Sequence, residues 1–251
     1  MRRGLEEDEF VLFYQPQISL ADETPSGVEA LLRWNHPQHG LVNPANFIPQ
    51  AEQSNLIGPL TEYVISQACG DLSELRENGF SPRMSINLSA ASIYDLELPE
   101  KLYNFFGRHR IEPGHVALEL TETAVMADAA ASIDILTRLR MKGFHLSIDD
   151  FGIGYSSMEQ LVRIPFSELK LDQKFVRGLL KYPECRSVTE VTIALAHKLG
   201  LTVVAEGIED DATLDEVRNL GCEEGQGFVI GRPMPLEQIT GWLTERNAAA
   251  H

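Results

Sequence analysis

The chain has 251 residues, of which 43% are hydrophobic and 23% are charged, and its formal net charge is −16. These proportions are those of an ordinary globular protein, and the length suits two small domains or one large unit such as an α/β barrel. The negative charge argues against a nucleic-acid groove, which needs a basic face, so we expect no DNA or RNA polymer as a partner.

Signals for export and for disulfide bonding are missing from the sequence. No stretch has the roughly 18–20 apolar residues that cross a bilayer, and the first residues lack the apolar core of a secretory signal. Cys69, Cys185 and Cys222 are odd in number and far apart, which fits neither a disulfide framework nor a metal-binding spacing. We therefore expect a cytoplasmic domain that itself makes no membrane contact, although the full-length protein could be anchored.

Eight short apolar or β-branched runs predict strands along the whole chain. They are EFVLFYQP (9–16), GVEALLRW (27–34), RMSINLS (83–89), HVALELTE (115–122), FHLSIDD (144–150), SELKLD (167–172), LTVVAE (201–206) and a weaker EEGQGFVI (223–230). The span between the first two, QISLADETPSG (17–27), is rich in turn residues and has no helical period. These first two strands are therefore predicted to form a hairpin.

Amphipathic helix patterns lie between most of the other strands, each followed by a glycine suited to a left-handed helix cap. Strands that alternate with helices and have no linker between them predict an α/β fold, namely a (β/α)8 TIM-like barrel. The alternative is an open doubly wound sheet, which would be expected to show a glycine-rich fingerprint after its first strand, and none is present. The apolar stripes are Leu60, Val64, Ala68, Leu72 and Leu75 before Gly79; Ile133, Leu136 and Leu139 before Gly143; and Val188, Val191, Leu195 and Leu199 before Gly200.

A polar residue stands at or near the end of most of these strands. In an α/β barrel these ends converge on the face that carries the active site. Carboxylates crowded there repel one another unless a cation compensates them, and Mg²⁺ or Mn²⁺ prefers such oxygen ligands. A lysine among them can hold a nucleophilic water or a developing oxyanion. The residues are Glu29, Asn87, Glu119, Glu122, Asp149, Asp150, Lys170, Glu206 and Gln226.

Each of these residues also has an ordinary structural explanation. A strand-end carboxylate is commonly a helix cap or a loop charge, Asn87 could be a turn residue, and Lys170 could be an exposed strand residue. What favours function is their joint placement at the same end of successive strands. From the residues alone we predict a metal-dependent barrel enzyme.

The segment EALLRW (29–34) resembles the signature of the EAL-domain family, the cyclic di-GMP phosphodiesterases. The resemblance covers roughly residues 9–235, and with the terminal segments 1–8 and 243–251 it implies a single EAL phosphodiesterase domain over 1–251. Further matching segments follow in the family's order: LVNPANFIPQAEQSNLI (41–57), SINLSA (85–90), LELTET (118–123), IDDFGIGYSS (148–157), LKLD (169–172), VVAEGIE (203–209) and GCEEGQGFVIGRPMP (221–235).

The resemblance implies a barrel whose first strand is antiparallel to the others. It also implies hydrolysis of cyclic di-GMP to linear pGpG with two Mg²⁺ or Mn²⁺ ions, as part of bacterial second-messenger signalling. By motif, the catalytic residues would be Lys170, which positions the nucleophilic water, together with Glu29 and Glu206. Arg33 would bind a substrate phosphate, and Gln226 would contact the substrate site and support the second ion through its water. The metal ligands would be Glu29, Asn87, Glu119 and Asp149 for one ion, and Asp149, Asp150 and Glu206 for the other.

The segment after the fifth strand needs a bend, because a regular strand would send adjacent aspartates to opposite faces. Gly152 and Gly154 are predicted to allow that bend. By the resemblance, Glu122 would support the loop that follows. Many active family members have threonine where this chain has Ile153, so we expect the anchoring of the loop to differ while every metal and water position is kept.

The resemblance also leaves alternatives and implies partners. Relatives that have lost ligands serve as cyclic di-GMP receptors or protein-interaction modules, and another metal phosphodiesterase on the same barrel is a further possibility; the complete ligand set favours catalysis. We expect a homodimer and an upstream sensor, receiver or diguanylate cyclase (GGDEF) domain in the full-length protein. Glu29 and Lys170 are both expected on a solvent-facing rim, so that replacing either would leave the fold unchanged.

Overall fold

The structure is a computed structural model that describes residues 1–126, 129–152 and 158–249. None of the helices in these ranges is both long and apolar enough to cross a lipid bilayer. The strands are β1 (Phe10–Ser19), β2 (Pro25–His36), β3 (Gly40–Val42), β4 (Arg83–Asn87), β5 (Val116–Thr121), β6 (His145–Phe151), β7 (Glu168–Leu171), β8 (Thr202–Ala205) and β9 (Glu224–Gln226). The α-helices are α1 (Arg2–Glu6), α2 (Ile48–Gln53), α3 (Ile57–Glu77), α4 (Leu98–Arg108), α5 (Glu122–Met126), α6 (Ala129–Met141), α7 (Met158–Arg163), α8 (Gln173–Gly178), α9 (Pro183–Lys198), α10 (Asp211–Asn219) and α11 (Leu236–Ala249).

Eight of the strands close into a barrel. The order around the ring is β1, β9, β8, β7, β6, β5, β4 and β2, and β1 pairs with β2 to close it. β1 runs antiparallel to both of its neighbours, whereas the other neighbouring pairs in the ring are parallel. The predicted (β/α)8 TIM-like barrel with an antiparallel first strand is therefore confirmed.

The first two strands form the predicted hairpin. β1 and β2 reach further into the turn-rich span than their apolar pattern indicated, and the turn is closed by hydrogen bonds from the backbone N–H of Glu23 to the carbonyl of Ser19 and from that of Ser19 to the carbonyl of Thr24. A short strand, β3, pairs with the far end of β2 outside the ring and was not predicted. It has only three residues, too few to show a periodic pattern.

The helices cover the outside of the barrel. In α3 the whole predicted stripe is buried, and Gly79 follows with a φ of 86°. The predicted stripe of α9 is wrong at Val191, which is 66% exposed. The buried face of α9 consists instead of Thr189, Thr192, Ile193 and Ala196. Periodicity alone missed this face because two of its members are threonines.

Alternate residues of each strand face different surroundings. The outward residues pack in the apolar layer beneath the helices and are fully buried, for example Ile86, Leu118 and Leu169. The inward residues meet across the barrel. Lys170 on β7 contacts Glu29 on β2, and these strands lie on opposite sides of the ring. The interior of the barrel therefore contains charged side chains. Lys170 and Glu29 meet near the carboxyl ends of the strands, and Arg83 and Glu168 meet near the amino ends.

Candidate active site

The carboxyl ends of the barrel strands surround one buried lysine. The Nζ atom of Lys170 lies 2.7 Å from Glu206 Oε1 and 2.9 Å from Glu119 Oε2. It also lies 3.4 Å from Glu29 Oε2 and 3.7 Å from Asp149 Oδ1. Three of these carboxylates stand on β2, β5 and β6, and the fourth follows β8 directly. One ammonium group therefore faces four carboxylates that arrive from different sides of the ring.

Burial places this cluster below the mouth of the barrel. Lys170 is completely buried and Glu29 is 6% exposed. The prediction that both stand on a solvent-facing rim is therefore wrong. In a barrel this small, side chains one step down each strand fill the interior, so a strand-end residue can be shielded from solvent on all sides.

The close packing of these charged groups shifts the pKa values of Lys170 and of the carboxyl groups around it. Burial disfavours the charged form of Lys170, but Asp149, Glu119 and the other carboxylates outweigh it and raise the lysine pKa well above its ordinary value. Burial raises the pKa of Glu206 to about 8, although Lys170 opposes that shift. Burial and the nearby charge of Glu29 raise the pKa of Glu119 well above its ordinary value. These are the responses of carboxylates that lack enough positive charge.

Glu29 differs from its neighbours because amide donors hold both of its oxygens. Asn87 Nδ2 donates to Oε1 at 2.9 Å, and Gln226 Nε2 donates to Oε2 at 2.7 Å. Burial disfavours the charged form of Glu29, but Lys170 and these donors outweigh it and lower the pKa of the carboxyl group. These donors thus favour the ionised form of Glu29 and fix the orientation of its carboxylate.

The bend between the adjacent aspartates lies at Asp150 itself. Asp150 has a φ of 55°, in the left-handed region that aspartate tolerates better than most residues. Its backbone N–H donates to Asp149 Oδ1 at 2.9 Å, and the pairing of β6 with β7 is irregular between Ile148 and Phe151. The bend therefore begins before Gly152, which also has a positive φ of 102°. Gly154 and Ile153 lie outside the described residues.

This bend brings a second set of carboxylates together. Asp149, Asp150 and Glu206 each offer an oxygen within 4.8 Å of the others. Burial and the charge of Asp149 raise the pKa of Asp150 to about 6. In addition, Glu119 Oε1 is buried and has no hydrogen-bond partner among the described residues. Mg²⁺ and Mn²⁺ bind preferentially to carboxylate oxygens, and these carboxylates outnumber the cationic side chains near them. The residues present therefore fit a divalent cation.

Two cavities open on either side of Glu29 and Leu31. The smaller, of about 210 Å³, is lined by the carboxylates of Asp149 and Glu206 and by the ring of Phe228. The larger, of about 590 Å³, passes Asn87 and Asp150 and has apolar walls. These walls come from α2, α3 and β2 and include Leu32, Ile48, Ile57, Leu60 and Val64. The mouth of the barrel thus has room for a ligand on both sides of the carboxylates.

Two other predicted residues lie around this cluster. Arg33 shares a strand face with Glu29, its Nη1 donates to the carbonyl of Leu32 at 2.9 Å, and its guanidinium lies 5.9 Å from the centre of the Phe13 ring. Among the described residues no carboxylate lies within ion-pair distance of Arg33, which leaves its charge for a ligand. Glu122 is 2% exposed, and its Oε2 accepts a hydrogen bond from the backbone N–H of Gly152 at 3.0 Å.

The sequence-based prediction missed two glutamines. Gln226 Nε2 also donates to Gln15 Oε1 at 3.0 Å, and Gln17 Nε2 donates to Gln226 Oε1 at 2.8 Å. Both glutamines come from β1, whose period of two places them on the inward face. Two glutamines two positions apart, one inside the predicted first strand and one directly after it, were the signal that could have revealed them.

Known proteins are similar to this chain over most of its length. The EAL domain family model matches residues 1–233. MucR of Pseudomonas aeruginosa, a bifunctional diguanylate cyclase/cyclic di-GMP phosphodiesterase, is 42% identical over 240 residues, which make up 95% of this chain and 35% of MucR. The cyclic di-GMP phosphodiesterase PA2567 of the same species is 41% identical over 237 residues, 94% of this chain and 40% of that protein.

A solved structure agrees with this relationship. The structure of PaMucR phosphodiesterase in complex with c-di-GMP matches with a TM-score of 0.91 at 42% identity, over 95% of this chain and 97% of that one. The chain spans less than half the length of MucR and of PA2567. Because the family model, the sequence identity and the fold agree over nearly all of its residues, the chain belongs to the EAL domain family.

Proposed function

We propose that this chain hydrolyses cyclic di-GMP to linear pGpG with the help of two divalent cations, Mg²⁺ or Mn²⁺. The observation that carries the proposal is the buried ammonium of Lys170, which four carboxylates surround at the open end of the barrel. MucR and PA2567 are both named as cyclic di-GMP phosphodiesterases, and this supports the choice of substrate.

The cations would be held by the carboxylates and the amide at this mouth. Bound there, they would activate a water and neutralise the charge that develops on the phosphate during hydrolysis. We assign one ion to Glu29, Asn87, Glu119 and Asp149, and the other to Asp149, Asp150 and Glu206.

Lys170 acts in this proposal as a donor and not as a base. Its N–H groups, which reach the carboxylates of Glu206 and Glu119 at 2.7 and 2.9 Å, orient the attacking water and stabilise developing negative charge. Hydrolysis adds this water across one phosphodiester bond: the hydroxyl group joins phosphorus, the bond to the 3′ oxygen breaks, and the leaving 3′ oxygen receives a proton.

The surrounding residues bind and orient the substrate. Arg33, with no carboxylate partner among the described residues, binds a phosphate of the dinucleotide. Gln226 holds the edge of the site next to Glu29, and Glu122 supports the segment after β6 through the backbone of Gly152. The cavities on either side of Glu29 accept the two halves of the dinucleotide.

We also propose a setting for this activity. Residues 1–251 act as a single EAL phosphodiesterase domain of a cytoplasmic signalling protein, which dimerises and carries an upstream sensor, receiver or diguanylate cyclase domain. The small share of MucR and PA2567 that the chain spans supports the presence of further domains.

Incubation with cyclic di-GMP tests the proposed activity. Purified protein is given the dinucleotide with Mg²⁺, with Mn²⁺ or with a chelator, and the products are separated by chromatography. We expect pGpG with either metal and intact substrate with the chelator. Intact substrate under both metals would overturn the enzymatic proposal, and tight binding retained in that case would identify the chain as a cyclic di-GMP receptor.

A further inference from the structure

We infer that Gln17 is a positioning residue that fixes the orientation of the Gln226 amide and, through it, the carboxylate of Glu29. The inference rests on the proposed function, because it concerns how Glu29 is prepared to hold a cation. No sequence motif pointed to Gln17, and among the described residues its side chain hydrogen-bonds to Gln226 and not to Glu29. Its effect must therefore pass through Gln226.

The hydrogen bonds run in one direction. The atom of Gln226 that faces Glu29 Oε2 at 2.7 Å must be its amide nitrogen, because an ionised carboxylate can only accept. The carbonyl oxygen of Gln226 therefore points the other way and needs a donor. Gln17 Nε2 supplies that donor at 2.8 Å. The charge of Glu29 thus dictates the orientation of Gln226, and Gln17 stabilises that orientation from the far side.

Gln17 lies on β1, the strand that runs antiparallel to both of its neighbours in the barrel. Its register position on β1 faces Gln226 of β9 on one side and Gly27 of β2 on the other. A Cβ atom at Gly27 would lie 2.8 Å from Gln17 Oε1 and 2.9 Å from the backbone carbonyl of Arg83, so glycine at this position leaves the Gln17 side chain undisturbed. Gln17 and Gln226 are both buried. Water therefore cannot readily replace the donor when Gln17 is changed.

Loss of this donor would loosen the position of Glu29. A buried amide oxygen without a donor costs free energy, which the Gln226 side chain can relieve by turning its oxygen elsewhere. Any such turn withdraws the N–H from Glu29 Oε2 and leaves only Asn87 and Lys170 to hold the carboxylate. Partners behind a metal ligand orient it in this way in many proteins. The expected result is weaker cation binding with the fold preserved.

Mn²⁺ binding without substrate tests this inference. In Gln17→Met, which keeps a similar side-chain length, we expect the affinity for Mn²⁺ to fall by about twofold to tenfold, the equivalent of one neutral hydrogen bond. In Gln226→Met we expect a fall of about 10–100-fold, as for other partners of metal ligands. Thr189→Val on α9, a fully buried residue whose Oγ1 has no hydrogen-bond partner among the described residues, is the control and is expected to bind Mn²⁺ as the wild type does.

A double-mutant cycle separates positioning from a general structural effect. If Gln17 acts through Gln226, Gln17→Met adds no further loss in the Gln226→Met background; if it acts only on the fold, the two losses multiply. Equal losses in both backgrounds, or wild-type affinity in Gln17→Met, would overturn the inference. Gln17→Leu repeats the cycle with a smaller side chain if the methionine variant folds poorly.

The same titration keeps the two proposals distinct. Protein that binds Mn²⁺ with the expected pattern but leaves cyclic di-GMP intact would overturn the proposed hydrolysis and support the role of Gln17. Wild-type protein that binds no Mn²⁺ would overturn both.

Discussion

The two ends of the barrel carry buried ionic clusters that differ in their balance of charge. At the amino ends of the strands, Arg83 Nη2 lies 2.7 Å from Glu168 Oε2 and 2.7 Å from Glu224 Oε2. At the carboxyl ends, Lys170 faces four carboxylates. Each end also has a buried carboxylate oxygen without a partner among the described residues, on Glu168 and on Glu119, so an unpaired oxygen alone does not distinguish them.

The number of carboxylates for each cation does distinguish the two ends. A guanidinium shared by two carboxylates is close to the balance found in structural ion clusters, and the hydroxyl of Ser26 adds a hydrogen bond to Glu224 at 2.9 Å. One ammonium among four carboxylates leaves negative charge that further cations can neutralise. The amino end thus has the character of a structural tie, whereas the carboxyl end has that of a binding site. Replacing residues at each end in turn tests this contrast.

The largest effect is expected from Lys170→Met, which keeps the length of the side chain and removes its charge. Turnover of cyclic di-GMP at saturating Mn²⁺ should fall by about 10²–10³-fold or more, because a positioned donor to developing negative charge is lost. Product formation measured by chromatography gives the rate. Because Lys170 is buried, the melting temperature must be recorded with Mn²⁺ present to establish that the variant is folded. Turnover within tenfold of the wild type would contradict the role of Lys170.

The matching change at the other end, Arg83→Met, should affect stability instead. Two carboxylates would lose their shared partner, and the free energy of unfolding should fall by about 3–5 kcal/mol. Denaturant titration measures this loss, and Mn²⁺ affinity in the absence of denaturant should stay at the wild-type value. If the variant keeps its stability but loses its Mn²⁺ affinity, the contrast between the two ends is wrong.

A third prediction concerns pH and Glu206. Without metal, the raised pKa of Glu206, about 8, means that its contribution to stability is complete below the unfolded pKa and is lost as pH rises through 8. Metal-free wild type should therefore lose stability relative to Glu206→Gln as pH rises from about 5 to about 8.5. Each kcal/mol of lost stability should lower its melting temperature by about 2–4 °C.

Addition of Mn²⁺ should reverse this pH trend, so that the wild type gains stability relative to Glu206→Gln as pH rises. The cation needs the ionised carboxylate, so protons compete with it at low pH, and its stabilisation of the wild type should grow as pH rises. Melting curves with chelator and with Mn²⁺ at each pH measure both trends. A constant difference between the wild type and Glu206→Gln across this range, with and without metal, would show that the carboxyl group does not titrate as expected.

The smallest effect is expected from Glu122→Gln. An amide oxygen can still accept from the backbone of Gly152, but without the negative charge, so turnover should fall by less than about tenfold. Mn²⁺ affinity should be unchanged, because Glu122 is not a proposed ligand. Glu112→Gln, at an exposed position, serves as the control. A loss of Mn²⁺ affinity in Glu122→Gln would place this residue within the metal site.

Much of the site could be predicted because strand ends in a barrel meet at one face whatever the details of packing. The positions of Glu29, Glu119, Asp149 and Lys170 followed from this rule, and the family resemblance assigned their roles. The bend at Asp150 was predicted from the adjacency of two aspartates, but its location was not. It lies at an aspartate with positive φ and not at a glycine, which only the backbone reveals.

Burial and partner choice could not be read from the sequence. Lys170 was expected at a rim, yet it lies inside the ring, because the depth of a side chain depends on the register of strands far apart in the chain. Val191 was expected inside and is exposed, because the orientation of α9 follows its contacts with the barrel and not its own pattern. Gln17 was overlooked because its partner, Gln226, is 209 residues away along the chain.

The amino-acid pattern was enough to predict the barrel, its initial hairpin and the set of polar residues at the strand ends, and the family resemblance added the antiparallel first strand. Local patterns carry these features, since periodicity, turn residues and motif order depend on near neighbours. The folded arrangement alone reveals which carboxylates share Lys170, which amides hold Glu29, and which end of the barrel has the larger excess of carboxylates. These depend on distances across the interior, where low dielectric makes each unpaired charge costly and therefore informative.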